Sequence, residues 1–483
     1  MNFEPVIGLE VHAQLLTHSK MFCGCSADYA GAAPNTHVCP VCLGMPGSLP
    51  VINKTAVEYT ILTALAFHCE IPEFAKFDRK NYHYPDLMKG YQISQYDLPL
   101  SRNGYILIND AGQQKNIRIR RVHLEEDTAK LFHVDGTSLI DVNRSGVPLM
   151  EIVSEPDMHS VEEARLYSLK LRQILRYLGV SSGDMEKGAM RFEANISLRP
   201  QGTTQLSATR VEIKNLNSLR AMMHATEYEI KRQSRILQAG GIVEQETMGW
   251  DEARGVTYTQ RSKEEAHDYR YFPEPDLPRL EISRVWVSAL RALLPELPDD
   301  KRERLVRDYG LSAYDADVIT AEKQVADYYD RAVEAGKERG VDPKAIANWV
   351  TGELFRLMND SSAEITQVKI APAQIPALVA LINKGTITTT IAKQVFEEMF
   401  RTGRDPEAVV KEKGLAVISD TGALAAIADR VIGENPKPVK DYLAGKEATL
   451  KFLVGQMMKA TKGQANPTLA AELLTQKLLA LKD

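Results

Sequence analysis

Glu10 and His12 stand two residues apart in the stretch GLEVHAQL. Along an extended chain successive side chains alternate faces, so these two and Gln14 point one way while Ile7, Leu9, Val11, Ala13 and Leu15 point the other. A carboxylate beside an imidazole is a pair of potential metal ligands. A half-exposed strand with a wet polar face has the same pattern, so this segment alone leaves both readings open.

Four further segments repeat it. In LMEIV, Glu151 alternates with Met150 and Ile152; in RFEANISL, Arg191, Glu193 and Asn195 oppose Phe192, Ala194 and Ile196; in RVEIKN, Arg210, Glu212 and Lys214 oppose Val211 and Ile213. The segment IRIRRVHLEED switches its apolar parity at Val122 and Leu124, which predicts a bulge near Arg120 and Arg121. Beyond it Arg121, His123 and Glu125 share a face. Carboxylates crowded on one sheet face repel unless a cation sits among them, and nearby Arg and Lys suit an anionic ligand. A divalent metal with a polyphosphate satisfies both requirements. Magnesium takes oxygen ligands, which suits Glu10, Glu125, Glu151 and Glu193, while His12 would also suit manganese. The segment RKNYHYPDLMKGYQISQYD adds Lys80, Tyr82 and Lys89 as candidates for phosphate or base contact, although an aromatic packing loop reads the same way. Lys80, Tyr82, Lys89, Arg191, Asn195, Arg210, Glu212 and Lys214 are thus the candidate nucleotide and substrate residues. No GxxxxGK[ST] loop occurs, so any nucleotide site is of another kind.

Cys23 and Cys25 form CxC, and Cys39 and Cys42 form CxxC after thirteen intervening residues. That spacing suits a structural tetrahedral zinc site with no open position, or alternatively four reduced thiols. Cys69, beside His68, reads as a core residue.

These groups need elements to carry them. Up to about residue 295 short strand patterns alternate with loops rich in Gly, Pro, Asn and Asp, and two helices interrupt them. One is announced by Ser160 with Glu163 and ends at Gly179; the other runs from near Ser218 to Gly240. Strands and helices mixed without a βαβ rhythm predict an α+β domain. The proline-rich FPEPDLPRL then leads into a helical tract, with KRERLVRDYG, QVADYYDRAVEAG and PKAIANWVTGELFRLMN helical by period. The expected domains are 1–295, 296–407 and a helical tail at 408–483. From Asn435 onward eight Lys face four Asp or Glu, in a chain of net charge -5. Any nucleic-acid contact is therefore regional. The absence of an 18-residue apolar run or a basic leader predicts a cytoplasmic protein.

GLEVHAQL, CPVCLGMPGSLPVIN, RKNYHYPDL, KGYQISQYD, HLEEDTAK, DVNRSGVPLMEIVSEPD, EIKNLNSLR, RSKEEAHDYRYFPEPDLP and the terminal GQANP together resemble the B subunit of the glutamyl-tRNA(Gln)/aspartyl-tRNA(Asn) amidotransferase, over essentially the whole chain. The resemblance implies a glutamine-synthetase-like catalytic cradle domain, a helical domain and a tail that contacts tRNA. It implies ATP-dependent phosphorylation of the side-chain carboxylate of Glu or Asp misacylated on tRNA, then amide formation with ammonia. The family's magnesium ligands fall on Glu10, His12, Glu125 and Glu151. Where the family commonly has RCDxN, this chain has Phe192 and Glu193, one methylene longer. The four cysteines match a zinc loop seen in many members. The chain has no Gly/Ser-rich amidase segment, so ammonia is expected from an amidase A subunit, with a small C subunit bracing the two. Lys459, Lys462 and Asn466 are the candidate tRNA contacts. Two other readings stand beside this one: a non-catalytic tRNA-binding scaffold, and a free-standing carboxylate-amine ligase acting on a small molecule.

Overall fold

The alternating segments of the first 262 residues assemble into one sheet. The computed structural model describes residues 2–262, 269–418 and 421–481, so residues 263–268 of RSKEEAHDYRYFPEPDLP lie outside the described residues. The chain divides into two compact units, Met1–Leu297 and Pro298–Asp483.

In the first unit the main strands are β1 (Phe3–Gln14), β2 (Ser101–Asp110), β3 (Gln113–Glu126), β4 (Pro148–Ser154), β5 (Met190–Pro200), β6 (Val211–Leu216), β7 (Glu246–Asp251) and β8 (Val256–Ser262). They lie in the order β8-β7-β6-β5-β1-β4-β3-β2, antiparallel except for the parallel β6–β7 pair. One face carries Ile7, Leu9, Val11, Ala13, Val122, Leu124, Ile152, Phe192, Ala194 and Ile196, all fully buried. Helices α1 (Lys54–Ala66), α2 (Val161–Leu178) and α3 (Leu219–Gln238) contribute to the same core, and each Leu or Ile removed from water there is worth roughly 1.5–3 kcal/mol. The α+β expectation holds for this unit. The bulge also stands where the parity switch placed it, between Ile119 and Arg121.

Two helices escaped the periodicity reading. Eight residues of α1, from Ala56 to Ala66, are buried; a helix apolar nearly all round has no polar stripe to reveal its period. The other, α4 (Arg284–Arg291), spans only eight residues. Ser160 caps α2 by accepting from the Glu163 amide at 3.0 Å, and Gly179 ends it at φ 69°. The Glu163 carboxylate accepts instead from the His159 amide at 2.6 Å, so the reciprocal half of the expected capping box is displaced by one residue. FPEPDLPRL is no free linker: Phe272–Pro273 pairs with Arg79 and Asp78 in a three-stranded sheet completed by Tyr91–Ser94.

The second unit is helical. One cluster of buried side chains runs from Leu305 to Val410 and another from Leu424 to Leu478. PKAIANWVTGELFRLMN is helical but holds a π turn at Trp349–Leu354 between Pro343–Asn348 and Phe355–Ser361. No described helix is long and apolar enough to cross a membrane.

The turn after α1 docks on β2 at Gly104, where an added Cβ would lie 2.3 Å from Cys69 Sγ and 2.5 Å from the Phe67 carbonyl oxygen. Gly104→Ala should therefore destabilise the first unit by about 1–3 kcal/mol. A denaturation midpoint equal to the parent's would show that this contact yields freely.

Candidate functional site

The face away from the helices is where the polar alternation converges. β1 lies between β5 and β4, and its register sets Glu10 opposite Glu193 and His12 opposite Glu151. Glu151 in turn stands opposite His123 of β3. Asn195 of β5 pairs with Glu212 of β6. Six strands of this sheet, β1 and β3 to β7, thus deliver polar side chains to one cavity of about 340 Å³.

Two groups of ligand atoms form, each with its members within 4.8 Å of one another: His12, Glu125 and Glu151, and Glu10, Glu193 and Glu212. His12 Nε2 lies 3.6 Å from Glu151 Oε2 and 3.9 Å from Glu125 Oε2. His123 Nε2 lies 3.2 Å from Glu151 Oε2 and 3.4 Å from Glu125 Oε1. In the second group Asn195 donates to Glu10 Oε1 at 2.9 Å, and Lys214 Nζ lies 3.5 Å from Glu193 and 3.7 Å from Glu212.

Burial, joined by the charges of Glu151, Glu193 and Glu212, pushes Glu10 up to about 7. Burial alone would lower His12, but the close Glu151 carboxylate and then Glu193 and Glu125 raise it to about 9. Burial disfavours the charged form of Glu151 as well, yet His123 and His12 hold it well below the usual carboxylate range. Glu125 is lowered despite burial and the repulsion of Glu151, because His123 and Lys80 face it.

Above this floor sits the small sheet that carries Lys80, whose Nζ lies 5.0 Å from the Tyr269 ring centroid. Glu125 and Glu151 keep that amine charged against the desolvation of its site. Arg79 clamps Glu274 with bonds of 2.7 and 2.8 Å, and Tyr271 stacks on Tyr96 at 4.4 Å. Tyr96, Tyr269, Tyr271, Arg120, Arg121 and Arg210 complete the cavity wall.

Of the candidates read from sequence, Glu10, His12, Glu125, Glu151, Glu193, Lys80, Arg210, Glu212 and Lys214 line the cavity. Asn195 reaches it through Glu10. Arg191, Tyr82 and Lys89 are not among the lining residues. The Arg191 guanidinium turns to buried Asp127 at 3.1 Å, the Tyr82 ring meets Tyr269 edge-on, and Lys89 is paired with Glu126. His123, Arg121, Tyr269 and Tyr271 were not singled out. Alternation already placed His123 on this face, whereas nothing local in the sequence joins the tyrosines to β3.

The cysteines converge as well. Cys42 Sγ lies 3.6, 3.7 and 3.9 Å from those of Cys23, Cys39 and Cys25. Buried Lys20 approaches Cys42 at 3.5 Å, and the Cys42 thiol is lowered to about 4, chiefly by its hydrogen bond with Cys23 and then by the Lys20 charge. In the second unit Asn466 caps helix Pro467–Leu479, accepting from the amides of Thr468 and Leu469. Its side-chain oxygen therefore takes up two of the free amides at that helix start.

Residues 5–288 match the family model described as "GatB/GatE catalytic domain", and residues 327–478 match "GatB domain". The chain is 56% identical over 484 residues to a protein of Carboxydothermus hydrogenoformans, covering 99% of each. It is 56% identical over 482 residues to one of Moorella thermoacetica, covering 99% of the chain and all of the relative. It is 52% identical over 483 residues to one of Caldicellulosiruptor saccharolyticus, covering 99% of each. All three bear the name of the B subunit of an aspartyl/glutamyl-tRNA(Asn/Gln) amidotransferase. The chain belongs to the GatB family. Its polar cavity lies within the segment matching the catalytic domain of that family, and the GatB relatives are ligase-type amidotransferase components.

Buried Asp127 pairs with Arg191 at 3.1 Å and Arg144 at 3.6 Å while accepting from Gln14 at 2.7 Å. Asp127→Ala should cost on the order of 2–3 kcal/mol, less than a fully buried pair because both arginines keep some solvent access. Urea denaturation measures it, and a loss under about 0.5 kcal/mol, the usual range for an uninvolved surface site, would show that the arginines find other partners.

Proposed function

We propose that this GatB chain is the catalytic subunit that amidates Glu or Asp misacylated on tRNA. In this reading it phosphorylates the side-chain carboxylate with ATP and then joins ammonia to the activated carbonyl. The observation that supports it most is the gathering of His12, Glu125 and Glu151 with Lys80, Arg121 and Lys214 in one polar cavity. Five carboxylates facing several cations suit a polyphosphate held with divalent metal. The cavity floor would belong to a glutamine-synthetase-like cradle.

The donor set fits the cation. His12 and the two carboxylates offer one nitrogen and two oxygens, a mixture acceptable to Mg2+ and Mn2+. Glu10, Glu193 and Glu212 offer a second group of oxygens, to which the longer Glu193 side chain contributes one. A bound divalent cation supplies neutralisation of phosphate charge. The chain's own residues do the rest. Lys80, Arg210 and Lys214 balance the charge on the transferred phosphoryl group as the substrate carboxylate oxygen bonds to the γ-phosphorus and ADP departs. Tyr96, Tyr269 and Tyr271 wall the cavity, limiting the water that would hydrolyse an acyl phosphate. Ammonia then attacks the acyl carbon, loses a proton, and phosphate leaves with the bonding electrons.

Ammonia would come from an amidase A subunit acting as glutaminase, with a small C subunit in a cytoplasmic heterotrimer. Lys459, Lys462 and Asn466 remain the proposed tRNA contacts of the tail. Cys23, Cys25, Cys39 and Cys42 would hold a structural zinc; Zn–S bonds of about 2.3 Å in a tetrahedron require sulfurs about 3.8 Å apart, in line with the 3.6 to 3.9 Å measured from Cys42.

The reconstituted complex, given ammonium chloride in place of glutamine, should release ADP only with misacylated tRNA. Glu151→Gln should lower that rate at least about 100-fold while tRNA binding persists. Hydrolysis indifferent to both would favour the scaffold reading. His12 must shed its proton to offer Nε2, and Glu10 is partly protonated near neutrality, so acid opposes the cation. Apparent Mn2+ affinity should rise with pH up to the His12 value of about 9, by up to about tenfold per unit for each proton displaced. A flat profile would contradict the ligand set.

A further inference from the structure

The two oxygens of Glu125 have different neighbours. Oε1 accepts from the Ser94 hydroxyl at 2.6 Å, and Oε2 accepts from the Gln92 amide at 3.1 Å. Oε2 is also the oxygen turned to His12 Nε2, at 3.9 Å. Gln92 is anchored in its turn by a 2.8 Å bond to the Glu126 carbonyl, and the Ile93 amide donates to Glu126 Oε1 at 3.0 Å. Ser94 is 1% exposed and pairs in register with Asp78, whose carboxylate accepts from the Tyr96 amide at 2.9 Å. The strand Tyr91–Ser94 is thus bound to β3 at its carboxylates and to the strand bearing Lys80 along its backbone.

The short bond from the buried Ser94 hydroxyl, with His123 Nε2 at 3.4 Å, occupies Oε1 of Glu125, while Oε2, which accepts from Gln92, is the oxygen facing His12. A carboxylate so held favours ligation through a single oxygen. Calcium takes six to eight oxygens and commonly draws both from one carboxylate, whereas magnesium and manganese accept compact, single-oxygen ligation.

We propose that Ser94 is a specificity-determining positioning residue: its hydroxyl keeps Glu125 Oε1 out of the cation's coordination shell and so disfavours Ca2+ at the site formed with His12 and Glu151. The inference rests on the metal reading of that cluster. It assigns Ser94 no contact with the reacting atoms.

The test is Mn2+ titration of the full chain followed by paramagnetic resonance, with Ca2+ as competitor, on the parent, Ser94→Ala, Ser94→Thr and Glu151→Gln. Loss of an outer hydrogen bond to a ligand weakens metal binding by about 10–100-fold. Ser94→Ala should therefore bind Mn2+ roughly tenfold more weakly, and its preference for Mn2+ over Ca2+ should fall by a similar factor. Ser94→Thr, which keeps the hydroxyl, should restore the preference. A merely structural role would lower the thermal midpoint of Ser94→Ala and leave the Mn2+/Ca2+ preference at the parent's value, which overturns the proposal. Equal loss of preference in Ser94→Ala and Ser94→Thr also overturns it. Parent Mn2+ binding that is absent, or untouched by Glu151→Gln, overturns the metal reading itself and the inference with it.

Discussion

The first unit is organised around repulsion between five glutamates, Glu10, Glu125, Glu151, Glu193 and Glu212, that share one cavity. Two like charges about 4 Å apart cost about 4 kcal/mol at an effective dielectric near 20. A domain stable by only about 5–15 kcal/mol cannot carry several such pairs without relief. The relief present in the chain is cationic: His12 and His123 beside Glu151, Lys214 beside Glu193 and Glu212, and Lys80 facing Glu125. Part of it is protonation, with Glu10 raised to about 7. A divalent cation would perform the same service with more charge in less space.

The architecture makes that crowding possible. Helices hold the apolar face of the sheet, so the opposite face has no core of its own to fill and can be given entirely to polar side chains. The shift between Ile119 and Arg121 re-aims the end of β3, turning His123 and Glu125 onto that face while Val122 and Leu124 enter the core. Without it Glu125 would point into the helices. The small sheet then covers the cavity from above, locked by the Arg79–Glu274 pair and the Tyr96–Tyr271 stack.

Alternation along single strands made much of this legible, because the face taken by Glu10, His12, Glu151 or Glu193 depends only on period. The parity change in IRIRRVHLEED disclosed the bulge for the same reason. Strand neighbours were not legible, since pairing β1 with β4 and β5 joins residues more than a hundred positions apart. That is why the sequence alone makes Glu212 a substrate contact and does not set it beside Glu10, and why Ser94, Gln92 and Tyr271 carried no signal. Arg191 shares its strand face with Glu193, yet a longer, flexible side chain follows the nearest buried carboxylate, Asp127. Helix α1 was hidden because burial on nearly every side erased its amphipathic stripe.

The most direct test of the cation-centred account is anomalous diffraction from crystals of the chain soaked in Mn2+. The account predicts a peak within coordination distance of His12 Nε2 and one oxygen each of Glu125 and Glu151. Peaks confined to exposed acidic side chains, with none in the cavity, would contradict it and leave the glutamates balanced by the chain's own side chains.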